Sequence, residues 1–564
     1  MHVRLVVTLA ATFLLGACGE ESPEALTPAE VGERIGSARL RLAAEDWTGA
    51  SEVLKELVER APETPIAWVL LAQSRRREGE YESALEASTT AAGFPQARGG
   101  ALIQAFLTRV ASGDLDQAEV LYRALRIFPM VDFSGLHIGG ELEAVRGDER
   151  FEALFPDDFD DPFLEPARVV HEWRGLSAGL EFGWEGRNVG DVDGDLVADA
   201  VVSAPANQPG GDSSGHVYVY SGRNGDLLWE VAGQPGEQLG MGIEGGGDTN
   251  GDDIPDVVVG APGSSRVYVF SGLDGTVLRT FEAVDGDASG FGGKVAAVGD
   301  VSGDGASEIV VGAARANSGA GAAYLFSGAN GELLVRYDGG TGEGLGSTVG
   351  GAEHQIVIGA PNAGPGGRGE VRVYHDTEAD PAFVISAEES GQQLGAMFVS
   401  VVGDIDADGV ADVYASDWQD GANGPVTGRI YVHSGATGER LLTLVGEGPG
   451  EGFGIGPGRA GDVDGDGHDD LVIGAWQHGS AAHSGGKVYV YSGRTGEPLR
   501  TLTGRIPGET LGFDADGMGD VDGDGEVDFL LTSAWSLVAG ARSGRALVVS
   551  GAVPDEKGED EEDS

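Results

Sequence analysis

Two different rhythms of apolar residues divide the chain. Across residues 31–156 they recur at helical spacing. Leu40, Trp47, Ala50, Leu54 and Leu57 mark one helix pair, and Trp68, Leu71, Ala72, Tyr81, Ala84 and Leu85 mark a second. "RAPETP" and "REGEY" interrupt the pattern. A third pair is predicted in "ALIQAFLTRVASGDLDQAEVLYRALRIFP", turned at Gly113-Asp114 and ended by Pro129. Over residues 166–552 the rhythm becomes alternation. "GHVYVYSGRNGDLLWEV", "SRVYVFSGLDGTVLRTF" and "GKVYVYSGRTGEPLRTL" each alternate apolar and polar residues, turn on Ser-Gly-x-x-Gly and resume, which is the pattern of a β-hairpin.

These hairpins are parts of a longer repeat. "GDVDGDGHDDLVIGAW", starting at Gly461, has relatives starting at Gly190, Gly247, Gly299, Gly403 and Gly519. Neighbouring copies lie 52–58 residues apart, except that the step from Gly299 to Gly403 is double. That gap contains "GGAEHQIVIGAP", which keeps the strand and has lost the acidic loop. Seven units of four short antiparallel strands, arranged radially, predict an all-β seven-bladed β-propeller. The last unit ends at "GRALVVSGA", one strand short, and "PARVVHEWRG" from Pro166 resembles the missing end. Residues 168–174 are therefore expected to close the seventh blade, which removes an open sheet edge.

The acidic loops follow Asp-x-Asp-x-Asp-Gly-x-x-Asp. Side-chain oxygens at positions 1, 3, 5 and 9, a main-chain carbonyl at 7 and a glycine for the sharp turn suit Ca2+, which takes six to eight hard oxygens; Mg2+ demands tighter octahedral geometry. Four loops carry a full carboxylate set: Asp191, Asp193, Asp195 and Asp199; Asp404, Asp406, Asp408 and Asp412; Asp462, Asp464, Asp466 and Asp470; Asp520, Asp522, Asp524 and Asp528. The second loop offers Asp248, Asn250, Asp252 and Asp256. The third offers Asp300, Ser302, Asp304 and Glu308, and is expected to be weakest. Up to six Ca2+ sites are expected, with a structural role: each pins its own blade.

Phe182-Gly183, Phe291-Gly292, Phe453-Gly454 and the recurring Gly-Ala-Pro resemble the FG-GAP repeats of integrin α-subunits. The resemblance covers residues 166–552 and implies a seven-bladed propeller with calcium in its blade loops. In the first third, "WVLLAQSRRREGEYESALEAS" and "GDLDQAEVLYRAL" resemble tetratricopeptide repeats. That resemblance implies a small all-α domain over residues 31–156 with a concave peptide-docking surface. A plain helical spacer is the other reading.

Composition narrows the function. With 97 glycines and 41% hydrophobic residues among 564, the chain is globular and turn-rich. A formal charge of −56 excludes nucleic acid as a partner, since binding it needs a basic face. The single cysteine, Cys18, follows Arg4 and an apolar run from Leu5 to Leu15, the pattern of a secretory signal. Leu15-Gly16-Ala17-Cys18 resembles the lipobox of bacterial lipoproteins. It implies a signal peptide over residues 1–17, lipid on Cys18, a tether over 18–30 and attachment to a membrane of the bacterial cell envelope, at the outer membrane or cell surface. An ordinary signal with an incidental cysteine is the alternative. The last residues, 553–564, are acidic and expected to be disordered.

Candidate recognition residues lie at the end opposite the acidic loops. Trp418, Trp476 and Trp535 stand where other units have the proline of Gly-Ala-Pro, with Gln419, Gln477 and His478 beside them. Read as exposed aromatics with amides, they suit protein or glycan recognition; the other reading is that they fill space between blades. No histidine falls in a triad-like or metal-ligand spacing, and Gly211-Asp212-Ser213-Ser214-Gly215 lacks the strand–turn–helix that a nucleophile elbow needs. "YSGRNGDLLWEV" resembles a quinoprotein dehydrogenase blade. However, Trp229 has Arg279, Val335, Leu442 and Arg500 at the matching positions of other units, so that enzyme class is the runner-up. The expected function is non-catalytic binding, as adhesion protein or assembly scaffold.

Overall fold

The computed structural model describes residues 26–126, 140–155, 159–206, 213–283 and 289–553. Cys18, Pro129, Gly211, Asp212 and residues 554–564 lie outside the described residues. The chain divides into two compact units, Met1–Ala118 and Glu119–Ser564.

The first unit contains helices α1 (Pro28–Ala43), α2 (Trp47–Arg60), α3 (Pro65–Arg77), α4 (Tyr81–Ala92) and α5 (Arg98–Ser112); α6 (Leu115–Arg126) begins in it. Each of α1 to α4 packs on the next, and α3 also touches α1 and α5. The shared core is small and aliphatic, built from Ala38, Ala50, Leu54, Leu57, Ala67, Leu71, Ala72 and Ala87. Leu40, expected on the packed face, is 75% exposed. The first helix also starts earlier than expected, inside the supposed tether. The Thr27 hydroxyl caps the Glu30 amide, the Glu30 carboxylate returns to the Thr27 amide at 2.8 Å, and Pro28 occupies the first turn. Gly113 ends α5 in the left-handed region (φ +76°), at the turn read from Gly113-Asp114.

The second unit is a seven-bladed propeller, and each blade is a four-stranded antiparallel sheet. Blade one comprises β2 (Gly186–Gly190), β3 (Asp199–Ala204), β4 (His216–Tyr220) and β5 (Leu227–Ala232). Blades two to six repeat this with β6–β9 (243–282), β10–β13 (291–338), β14–β17 (349–386), β18–β21 (399–445) and β22–β25 (453–503). Blade seven takes β26 (Ala515–Gly519), β27 (Asp528–Ser533) and β28 (Arg545–Val549) from the end of the chain, and its outer strand β1 (Val169–Arg174) from the beginning. Trp173 pairs with Ala546 and Arg174 with Arg545, so first and last strands hold the ring shut. The second strand of most blades is buried on both faces, as in "DAVVSA" and "DLVIGA", because blades stack on either side of it.

The repeated motif residues explain the stacking. Phe182, Phe291 and Phe453 are buried, and each meets a third-strand tyrosine edge-on: Tyr218 at 5.4 Å, Tyr324 at 5.6 Å and Tyr489 at 5.6 Å. A Cβ on Gly260, the glycine of one Gly-Ala-Pro, would lie 1.9 Å from the carbonyl oxygen of Gly292 in the next Phe-Gly. The two halves of the motif therefore fit one another across the blade boundary, and only glycine allows the approach.

Where the acidic loop is lost, blade four joins β14 (Val349–Ala352) to β15 (Gln355–Ala360) by Glu353 and His354 alone. Both have positive φ, +46° and +69°, as a two-residue hairpin turn requires. A short turn does there what a long acidic loop does elsewhere.

Candidate metal centre

Each acidic loop connects the first and second strands of its blade, and its backbone is held by its own carboxylates. In blade one, Asp191 Oδ1 accepts the amides of Gly194 (2.7 Å) and Asp195 (3.0 Å), and its Oδ2 accepts that of Leu196 (2.7 Å). Asp248, Asp300, Asp404, Asp462 and Asp520 repeat this arrangement. The ninth residue is buried and reaches two ways. Asp199 Oδ2 accepts the Val192 amide (2.8 Å) inside the loop, and Oδ1 accepts the Gly222 amide (2.9 Å) of the Ser-Gly-x-x-Gly turn. Asp412, Asp470 and Asp528 do the same with Gly435, Gly493 and Gly551. Asp256 makes the same tie to Gly272 in blade two, whereas in blade three Glu308 accepts only loop groups and Ser327 of the turn reaches Asp304 instead.

The carboxylates converge. Asp191, Asp193 and Asp199 each bring an oxygen within 4.8 Å of the others, and so do Asp404, Asp406 and Asp412, as well as Asp462, Asp464 and Asp470. The third loop, read as weakest, gathers Asp300, Asp304 and Glu308. In loops one, four and five the triple consists of positions 1, 3 and 9. The fifth-position Asp turns one oxygen to the backbone two residues on, as Asp195 does to the Val197 amide (2.9 Å). Its other oxygen meets a cation in some blades: Arg223 lies 2.8 Å from Asp195, and Arg494 lies 3.8 Å from Asp466.

Three converging carboxylates need a counter-charge. Burial pushes Asp199 and Asp412 up to about 6; the backbone amides that each accepts oppose the shift, and the neighbouring Asp193 or Asp406 adds to it. The donor set is all oxygen and carries two or three charges, which fits Ca2+ and gives a transition metal no nitrogen or sulfur. When bound, the ion supplies charge neutralisation and a cross-link between loop and hairpin turn. Loop six differs. Arg168, next to the ring-closing strand, ion-pairs with Asp522 and lies 2.8 Å from Asp524, so an internal cation already faces that loop.

The opposite end departs from the sequence reading. Trp418 and Trp476 are 5% and 4% exposed, Gln477 and His478 are buried, and Trp535 and Gln419 are half-buried. The exposure that made them recognition candidates is missing. Trp476 packs edge-on against Trp535 (4.8 Å), Phe513 (5.3 Å) and Trp418 (6.2 Å), in a cluster that also holds Phe398 and Ile455 and packs against Trp184. Rings from blades five, six and seven cover one another, which no single unit's sequence displays.

Two further features escaped the sequence reading. Trp229 remains the one tryptophan at its place, and His171 on β1 fills the matching place in blade seven. Trp229 Nε1 donates to the Gly272 carbonyl (2.6 Å) and His171 Nε2 lies 2.7 Å from that of Gly222, each in the turn of the next blade. The strand order hid this, since His171 precedes every complete unit. In addition, glutamates in the connections between blades are bound by the blade that follows. Glu237 accepts from Tyr268 and Ser264, Glu343 faces Arg372, and Glu509 faces Arg545 and Ser536. The recurring Gly-Glu before Phe-Gly or Leu-Gly was the available signal. Arg146-Gly147-Asp148 follows a short 3-10 turn, and the Asp148 carboxylate is taken by Arg150 at 2.7 Å.

Fold and loops together define a seven-bladed β-propeller carrying FG-GAP repeats. The model of the FG-GAP repeat matches residues 243–271 and 458–491. Among curated proteins the chain is similar to integrin alpha-4 of Xenopus laevis, 30% identical over 193 residues, and to integrin alpha-E of Mus musculus, 29% identical over 136 residues. These alignments cover 31% and 22% of this chain, and 18% and 11% of the relatives. The chain therefore spans under a fifth of the length of the curated relatives it matches. Among the described residues no helix is long and apolar enough to cross a membrane.

Proposed function

We propose that this chain is a calcium-stabilised, non-catalytic binding protein of the adhesion or assembly-scaffold kind, tethered to a bacterial cell envelope by a lipid on Cys18. The observation that carries the reading is the one repeated structure of the acidic loops. Their carboxylates converge on a common point, and a buried ninth acid ties loop to hairpin, on a propeller with integrin-like FG-GAP repeats. At affinities of about 10⁻⁴–10⁻³ M and free calcium near 1 mM, each ion contributes roughly 0.4–1.4 kcal/mol. Six such sites add up to a few kcal/mol, a sizeable share of ordinary domain stability.

Binding is the role left for a propeller whose loops hold their acids for cations. The partner is a protein or glycan of the cell surface. Immobilised full-length chain, presented to a glycan array and to purified envelope proteins, should retain a ligand in millimolar calcium and release it in chelator. Retention of nothing in either condition would refute the binding role. The anchor has its own test: a radiolabelled fatty acid should be incorporated by the wild type and not by Cys18→Ala.

A further inference from the structure

A second kind of metal-ligand set lies at the end of blade six away from the acidic loops. The connection from β21 (Arg440–Val445) to β22 (Phe453–Gly461) brings Glu447 and Glu451, and the connection after β23 (Asp470–Ala475) brings His478. One ligand atom from each lies within 4.8 Å of the other two. His478 Nε2 is 3.2 Å from Glu447 Oε2 and 3.6 Å from Glu451 Oε2. Donors bound tetrahedrally at 2.0–2.1 Å are about 3.3–3.4 Å apart, so these two separations bracket the edge of a zinc-type tetrahedron.

The remaining atoms are arranged as the surroundings of such a site. The Glu451 carboxylate is 4% exposed, and its Oε1 accepts the Gly448 amide at 3.0 Å. Its Oε2 lies toward the imidazole, 3.6 Å from Nε2. Glu447 Oε1 is held by Lys487 Nζ (2.6 Å) and Tyr489 Oη (3.0 Å), which leaves Oε2 toward His478. Ser480 Oγ lies 3.4 Å from Nδ1, where it can accept the Nδ1 proton once Nε2 takes the ion. Lys487 pairs with Glu447, whereas His478 is the one ion-pair partner of Glu451 among the described residues. The equivalent glutamates of other connections are answered within their own blades, Glu509 by Arg545, Glu343 by Arg372 and Glu237 by Tyr268 and Ser264, whereas Glu451 faces an imidazole.

We propose that Glu447, Glu451 and His478 form a binding site for one divalent first-row metal ion of the zinc class, separate in place and chemistry from the calcium loops. The imidazole supplies the selectivity, because calcium takes oxygen ligands whereas zinc, nickel and cobalt favour imidazole nitrogen. Glu447 is half-exposed, so the fourth position faces solvent and can take water or a donor from outside. The ion replaces the Nε2 proton that otherwise bridges to Glu447, and it ties the blade five–six connection to the body of blade six.

The test uses the full chain in detergent with 5 mM calcium as competitor, dialysed against graded Zn2+, with bound metal counted by mass spectrometry. Co2+ is then added to read ligand-field absorbance. The wild type should take up one equivalent of Zn2+ that calcium does not displace, with Co2+ bands of tetrahedral intensity. Glu447→Gln, at a half-exposed position, should weaken that uptake at least tenfold, and His478→Ala should abolish it. Uptake unchanged in Glu447→Gln means an adventitious ion only and overturns the proposal. So does Zn2+ uptake that calcium suppresses. If His478→Ala fails to fold, the Glu447→Gln result decides.

Discussion

The two ends of the propeller are built from the same strands by opposite means. At one end, acids gathered on glycine-rich loops stay partly in water and are held by backbone amides, as Asp462 is held by the amides of Asp466 and Gly467. At the other end, Trp418, Trp476, Phe398 and Phe513 leave water altogether and pack across blade boundaries. The first end is the more modular, since each loop's first acid is held by that loop's own amides, although links such as Asp469 to the Asp404 amide join neighbouring loops. The second is cooperative, since every ring needs a neighbour from another blade. A cation can strengthen the first without touching the second.

That contrast predicts a graded set of effects. The largest is at the aromatic end: Trp476→Ala should cost about 3–5 kcal/mol, equally in calcium and in chelator, measured by urea unfolding. Equal loss in both conditions is the signature of packing that owes nothing to the ion. Next, Asp470→Ala removes the tie between loop five and the Gly493 turn, two hydrogen bonds to a buried carboxylate. It should cost about 2–3 kcal/mol even in chelator, and one calcium equivalent by titration calorimetry. Asp464→Asn, at an exposed third position, should lower calcium affinity of its loop while leaving the melting temperature in chelator unchanged. The smallest effect is expected at loop six. Removing the ion pair by Arg168→Gln should raise calcium affinity there about twofold to fivefold. If affinity falls instead, Arg168 supports the loop rather than competing for it.

The same contrast explains what the sequence made legible. The loops could be read because six copies stand in register, so a spacing that means little once becomes a site. Even the exception was readable, for "GGAEHQ" lacks the acids and the structure puts a two-residue turn at Glu353-His354. The closing strand was readable because "ARVVHEWR" carries the alternation of an outer strand. Of the two readings of the tryptophans, the structure takes the one in which they fill space between blades; sequence could not choose because their burial depends on residues roughly sixty positions away, in the next blade. His171 was missed as the counterpart of Trp229 because it precedes every complete unit. The Glu447–Glu451–His478 set occurs once and joins two connections, so no periodicity announces it. The capping box at Thr27-Pro28-Ala29-Glu30 lies ahead of the apolar rhythm from which the helical region was bounded, so the first turn of α1 fell in the expected tether.

The central claim is that cations pin the loop end of each blade. Its most direct test is the melting temperature of the full-length chain, dialysed exhaustively against chelator and then returned to millimolar calcium. A few kcal/mol of linked binding predicts a rise of several degrees on adding calcium, reversed by chelator. The same melting temperature in both conditions would contradict the account, and would leave the acidic loops as turns held by backbone amides alone.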